Sequence, residues 1–118
     1  MAWSASFPQE SWKDSDSRGF LREIHKRIKF GSFTWNPPNC AANTTTDTTL
    51  TTSDTDAVDG LRAGMAVSVT PPSTLDAGLV VGGAWVATDN TLTIRLGNLT
   101  AGGINPASGT WAFMGTLI

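Results

Sequence analysis

Residues 65–96 read MAVSVTPPSTLDAGLVVGGAWVATDNTLTIRL, and three strands can be marked off within them. Met65, Val67 and Val69 alternate with Ala66 and Ser68, the period of a strand with one buried face, until Pro71 and Pro72 stop the run. Leu79 to Val81 and Ala84 to Ala87 flank Gly82 and Gly83, which predicts one strand broken by a bulge. Asp89 and Asn90 supply turn chemistry. After them Leu92, Ile94 and Leu96 alternate with Thr91, Thr93 and Arg95, a half-buried strand.

The same pattern extends in both directions. Toward the C-terminus, residues 98–106 read as a loop containing Gly102 and Gly103. A closing strand over 110–117 follows, with Trp111, Phe113 and Gly115 on one face. Toward the N-terminus, Phe33 and Trp35 alternate with polar neighbours before Pro37 and Pro38. Between these prolines and the quoted stretch, eight of the twelve residues from 44 to 55 are Thr. A β-branched run without Pro or Gly favours an extended strand. Its side chains are polar on both faces, so its register is weakly specified, and a neighbouring chain is the expected source of that register. Strands at roughly ten-residue spacing with no helix between them predict a mainly β fold, a sandwich or jelly-roll-like body of about six or seven strands.

The N-terminal region is different. Trp3, Phe7 and Trp12 are spread along residues 1–16 with no helical or strand period, so this arm is expected to lie on another surface. Phe20, Leu21, Ile24 and Ile28 share one face at helical spacing and predict a short amphipathic helix over 17–30. Asp16 or Ser17 can cap its start, and Gly31 is placed to take the left-handed position after its end. Arg18, Arg22, Lys26, Arg27 and Lys29 give the other face a basic character, and the last three suit the C-terminal end of a helix dipole. The division is therefore an arm and helix at 1–35, serving attachment and oligomer contact, and a β domain at 36–118. Trp3, Phe7, Trp12, Phe20, Leu21, Ile24 and Ile28 are the expected interface residues.

Charge supports that division. Residues 1–30 carry six basic and four acidic side chains, net +2, and residues 31–118 carry two basic and six acidic, net −4. The pattern is that of a basic docking arm on an acidic body. Charged residues make up only 15% of the chain, low enough to suggest a surface partly covered by partners.

No standard catalytic constellation is present. His25 is the only histidine, set among cations on the predicted helix with no nucleophile in reach. Cys40 is the only cysteine, follows Pro-Pro-Asn, and reads as a buried thiol with no disulfide partner. Both glutamates, Glu10 and Glu23, lie in the N-terminal region. Asp54, Asp56 and Asp59 before Gly60 have neither the spacing nor the terminal glutamate of an EF-hand, and read as turn residues. The expectation is a non-enzyme with no cofactor and no metal site. No apolar run is long enough to span a bilayer and no secretory signal is visible, so no membrane partner is expected. The basic helix face could serve a salt-sensitive nucleic-acid contact, but no binding motif backs it and nucleic acid is not an expected partner.

One resemblance rests on the order of these segments. The Thr-rich run at 44–52, the Val strand at 64–69, the Pro bend at 71–72 and the strands at 77–81, 84–87 and 90–96 come first. The turns at 98–100 and 104–108 and the closing strand at 110–113 complete it. Together they resemble a β domain that recurs in structural proteins of tailed bacteriophages. Met65 and the Gly82–Gly83 region depart from that pattern. The resemblance implies a virion protein, a homotrimer, with the major capsid protein or another virion protein as partner, and the lone Cys40 fits assembly in a reducing host cytoplasm. The resemblance implies most directly a capsid decoration or cement protein. A short tail fibre or knob-type receptor-binding protein, using loops such as 71–76 or 100–108, is the alternative.

Overall fold

A computed structural model describes residues 27–117. The structure is mainly β. Its strands are β1 (Ile28–Trp35), β2 (Thr44–Leu50), β3 (Ala66–Thr70), β4 (Leu79–Trp85), β5 (Leu92–Asn98) and β6 (Gly109–Thr116). They form two three-stranded antiparallel sheets, ordered β1-β6-β3 and β2-β5-β4. The only other element between strands is one 3-10 turn at Asp56–Val58, capped by the Thr55 hydroxyl, which accepts from the Ala57 amide at 3.2 Å.

Alternation decides what each strand buries. In β6, Trp111, Phe113 and Gly115 point inward while Ala112 and Met114 are exposed. In β1, Phe33 and Trp35 are buried while Phe30, Ser32 and Thr34 are exposed. Phe33 sits opposite Trp111, and Gly31 opposite Phe113. Leu50, Leu79, Leu92, Ile94 and Leu96 from the other sheet join these aromatics in a single core. Met65, Leu61 and Val58, from the segment before β3, are buried in the same cluster. The two sheets adjoin where β3 meets β4. Between β1 and β2, edge strands of different sheets, a groove of about 270 Å³ stays open, lined by Thr34, Asn36, Thr48 and Asp54 among others.

Two glycines make this packing possible. A β-carbon on Gly31 would stand 3.3 Å from the Phe113 ring, and one on Gly115 would stand 3.2 Å from Leu61. Each is an inward strand position given up so that a large neighbour can fill it.

Several expectations are corrected. The helix predicted over 17–30 does not reach its predicted end: Arg27 is helical, and Ile28 to Phe30 already belong to β1. Residues 28–30 pair with 114–116 of β6, and ladder hydrogen bonds to a central strand outweigh the helical period of three residues. Gly31 is consequently not a helix cap but a strand residue under the Phe113 ring. Lys29 does not sit on a basic helix face, since it lies in β1 opposite Gly115, and its aliphatic stem would stand 3.6 Å from a β-carbon on Gly60. Residues 28–35, grouped by sequence with the N-terminal region, are a strand of the β body.

The Thr-rich run is a strand as expected, over Thr44–Leu50, and its register is set within the chain by β5, from Thr44 opposite Asn98 to Leu50 opposite Leu92. β4 carries its register shift between Val81 and Gly83, where the sequence placed a bulge. β5 is more buried than a half-exposed strand, with Arg95 its only exposed residue.

Trp111 is the test of the core. It is fully buried, its ring meets Trp35 edge-on at 5.0 Å, and its indole N–H has no hydrogen-bond acceptor. Trp111→Ala is expected to lower unfolding free energy by about 3–5 kcal/mol, read from denaturant midpoints. Trp111→Phe should cost clearly less, because it keeps ring volume and removes an unpaired donor. Equal losses for the two would mean that the ring is not packed as described.

Candidate interaction surfaces

The six strands present two outer faces of opposite character. On the β2-β5-β4 sheet the outer face is built of paired polar and charged side chains, with Val80 left 41% exposed beside Gly97. Arg95 donates from Nε and Nη2 to the two oxygens of Asp47 at 2.7 and 2.9 Å, a bidentate cross-strand pair. Its guanidinium lies 5.0 Å from the Trp85 ring centre. Gly82 leaves the room for this, since a β-carbon there would stand 3.2 Å from the Arg95 stem. In the next row Thr93 lies between Trp85 and Thr49, is itself buried, and shares a 2.8 Å hydroxyl contact with Thr49.

The outer face of the β1-β6-β3 sheet has no such covering. Its cross-strand rows are Ile28–Thr116–Ala66, Phe30–Met114–Ser68, Ser32–Ala112–Thr70 and Thr34–Thr110. None of these residues is charged. Phe30 is 73% exposed and Met114, directly opposite it, 52%. An adjoining large apolar pair at the centre of an uncharged sheet face is a feature of contact surfaces.

The loops converge at one end. Asn98 is buried, and its side-chain amide donates to the Cys40 and Gly102 carbonyls at 3.0 and 2.9 Å. Its carbonyl oxygen accepts from the Thr100 amide and hydroxyl at 2.9 and 2.7 Å. Cys40 and Ile104 form a two-bond bridge beside it. The loop after β3 joins this end, because the Asp76 carboxylate accepts from the Ala107 amide at 3.3 Å and Pro72 lies directly over Gly109. The resulting surface holds a shallow depression of about 400 Å³ between Asn39, Ala41, Ile104 and Asn105.

Of the expected interface residues, Trp3, Phe7, Trp12, Phe20, Leu21 and Ile24 lie outside the described residues. Ile28 is half-buried in the first row of the uncharged sheet face and not on a helix. Phe30 and Met114 were not singled out by sequence. Their signal was present, as large apolar residues on the outward phase of strands whose inward phase is Phe33–Trp35 and Trp111–Phe113. Cys40 is buried, and burial raises its thiol above the usual range, which disfavours the reactive thiolate. Asp54 uses its carboxylate locally, accepting from the Thr51 amide and hydroxyl at 2.8 and 3.2 Å. Asp89 and Asn90 act as turn residues and as ties, accepting from the Ala63 and Gly60 amides at 3.0 and 2.9 Å.

Fold and surfaces together define a small antiparallel β body whose most distinctive feature is a bare, uncharged sheet face. Comparison with protein-family models, curated proteins and solved structures returns no match.

The Asp47–Arg95 pair sets a pH expectation. Hydrogen bonding from Arg95 holds the Asp47 carboxyl below its ordinary range. A depressed folded-state pKa stabilises the fold above the unfolded carboxylate pKa, and this contribution is lost as pH falls through the folded value. The pair is exposed, so the effect is small. The gap in urea midpoint between the native chain and Asp47→Asn should be widest near neutrality and close in strong acid. A gap that does not change with pH would show that the pair contributes nothing through ionisation.

Proposed function

We propose that this chain is a non-enzymatic structural protein of a tailed-phage virion, a homotrimeric capsid decoration or cement protein that binds and stabilises the shell. Its two sheets are read as the layers of a β-sandwich, with residues before β1 as the attachment device. The observation that carries this reading is the uncharged outer face of β1-β6-β3, centred on Phe30 and Met114. A body that works alone in water gains nothing from such a face, whereas a subunit of an assembly needs one. The segment order shared with phage β domains supports the same reading. So does the charge division between residues 1–30 and 31–118, because a basic arm on each of three subunits would engage a lattice with avidity.

A second reading has its own support. Residues 71–76 and 100–108, which a receptor-binding knob would use, lie at the same end and are tied together by Asp76 and Ala107. A short tail fibre would present that end to a host surface.

Copy number separates the two. Quantitative mass spectrometry of purified particles should give this chain at a ratio near one or one-third of the major capsid protein, roughly hundreds of copies, for a cement protein. A ratio of a few per cent selects the tail-fibre reading, and absence from particles overturns both. Deleting residues 1–16 should leave the cooperative unfolding of the β body intact and abolish incorporation. Normal incorporation of the truncated chain would place attachment on the β body.

A further inference from the structure

We infer that the outer edge of β2 pairs with β2 of a second copy of this chain, antiparallel, about a two-fold axis at Asp47. The contact is separate from the Phe30–Met114 face. A two-fold contact joins copies in pairs, so it would link one trimer of the proposed assembly to the next, and it stands whether or not that assembly forms.

Among the described residues, β2 is the sheet edge that nothing blunts. It borders β5 on one side, and no backbone hydrogen bond from the described residues reaches Thr44–Leu50 outside that ladder. The other three edges are managed. The Asp56–Val58 turn lies against β1, β3 is five residues long and runs into Pro71 and Pro72, and β4 adjoins β3 and carries the register shift between Val81 and Gly83. β2 has seven residues, with no proline, glycine or lysine and an unbroken register. The groove between β1 and β2 leaves its edge open to an incoming strand. Such an edge presents a row of unpaired N–H and C=O groups, a template for one more strand.

The sequence of β2 selects another β2 as that strand. It reads TTTDTTL, and from Asp47 outward the same residues follow in both directions, Thr46 and Thr48, then Thr45 and Thr49. An antiparallel pair centred on Asp47 therefore sets Thr opposite Thr in four rows. The chain already makes one such pair internally, Thr49 with Thr93 on β5, their hydroxyls 2.8 Å apart. The unfavourable row is the central one, where Asp47 meets Asp47 of the second copy. Each carboxylate is held on both oxygens by its own Arg95, so the row runs Arg95, Asp47, Asp47, Arg95 and carries no net charge. The flanking guanidiniums offset the repulsion of the opposed carboxylates. Seven residues span about 23 Å, so a single pair makes a small, weak contact, and arrayed copies strengthen it by avidity.

Disulfide trapping reads a weak contact directly. In the full-length chain carrying both Thr45→Cys and Thr49→Cys, the new thiols lie four residues apart on one strand, about 13 Å, too far to bridge each other. Both positions are exposed, and the native thiol, Cys40, is buried. Oxidation is expected to give a covalent dimer whose peptide map joins position 45 of one chain to position 49 of the other. Adding Asp47→Lys should slow this cross-linking at least about tenfold, because lysine then opposes lysine on the axis beside the Arg95 side chains. Asp47→Thr breaks the same ion pair without adding repulsion, and should cross-link at least as fast as the parent. The urea midpoints of both should stay close to the parent's, since the Asp47–Arg95 pair is exposed. Links of 45 to 45 and 49 to 49 would overturn the antiparallel pairing. Cross-linking no faster per thiol than in a chain with Ser73→Cys, an exposed loop site, would overturn the contact altogether. Sedimentation of the native chain separates the two ideas: a trimer that gives no 45–49 link keeps the proposed assembly and removes this contact.

Discussion

Trp111 against Trp35 is the contact on which the rest of the body is hung. Trp111 lies on β6, the middle strand of its sheet, and reaches Trp35 from β1 edge-on at 5.0 Å. Phe33 follows at 6.4 Å from Trp35, and Phe113 at 6.1 Å from Phe33. Offset and edge-on aromatic contacts bring large areas of apolar surface together at defined angles, so they set the spacing between neighbouring inward positions as well as stabilising them. The strand positions that could not also hold a side chain are glycine: Gly31 beneath Phe113, and Gly115 beneath Leu61. A middle strand that must carry Trp, Phe and Gly in alternation leaves little freedom in how β1 and β3 pair with it.

The opposite sheet achieves the same closure by other means. β5 is buried along nearly its whole length because its outward positions are covered too, Thr93 between Trp85 and Thr49 and Gly97 beside Val80. Its one exposed residue, Arg95, is paired with Asp47 and stacked near Trp85. Asn98 at its end satisfies four partners and ties residues 40, 100 and 102 to the strand. A buried amide with every bond made fixes the loops without leaving a polar group unpaired. One sheet thus pairs most of its outward side chains with one another, and the other leaves Phe30 and Met114 bare, the asymmetry on which the proposed assembly rests.

Most of the body was legible in the order of residues. β3, β5 and β6 alternate cleanly, the β4 bulge falls at Gly82 and Gly83, and Asp89–Asn90 turns the chain where turn chemistry requires. Ile28 to Phe30 were ambiguous because Ile28 fits a stripe of period 3.6 with Ile24 while Phe30 fits a period of two with Phe33–Trp35 only after a change of face. The pairing with residues 114–116 that resolves them is more than eighty residues distant, beyond any local pattern. The Thr-rich run was similarly open. Its strand character is local, but its register comes from β5, which brings Leu50 to Leu92 and leaves Asp47 beside Arg95.

Sequence alone determined the class of fold, because period-two alternation, proline stops and glycine bulges act within a few residues. It also indicated that Cys40 is buried and that Asp54, Asp56 and Asp59 belong to turns. Only tertiary structure decided which strands share a sheet, that β1 begins at Ile28, and that Asn98 rather than a motif residue holds the loops. It alone put Phe30 beside Met114. The reason is physical: inward and outward are properties of a strand once it is paired. Two residues more than eighty positions apart become one surface only when a ladder of backbone hydrogen bonds brings them level.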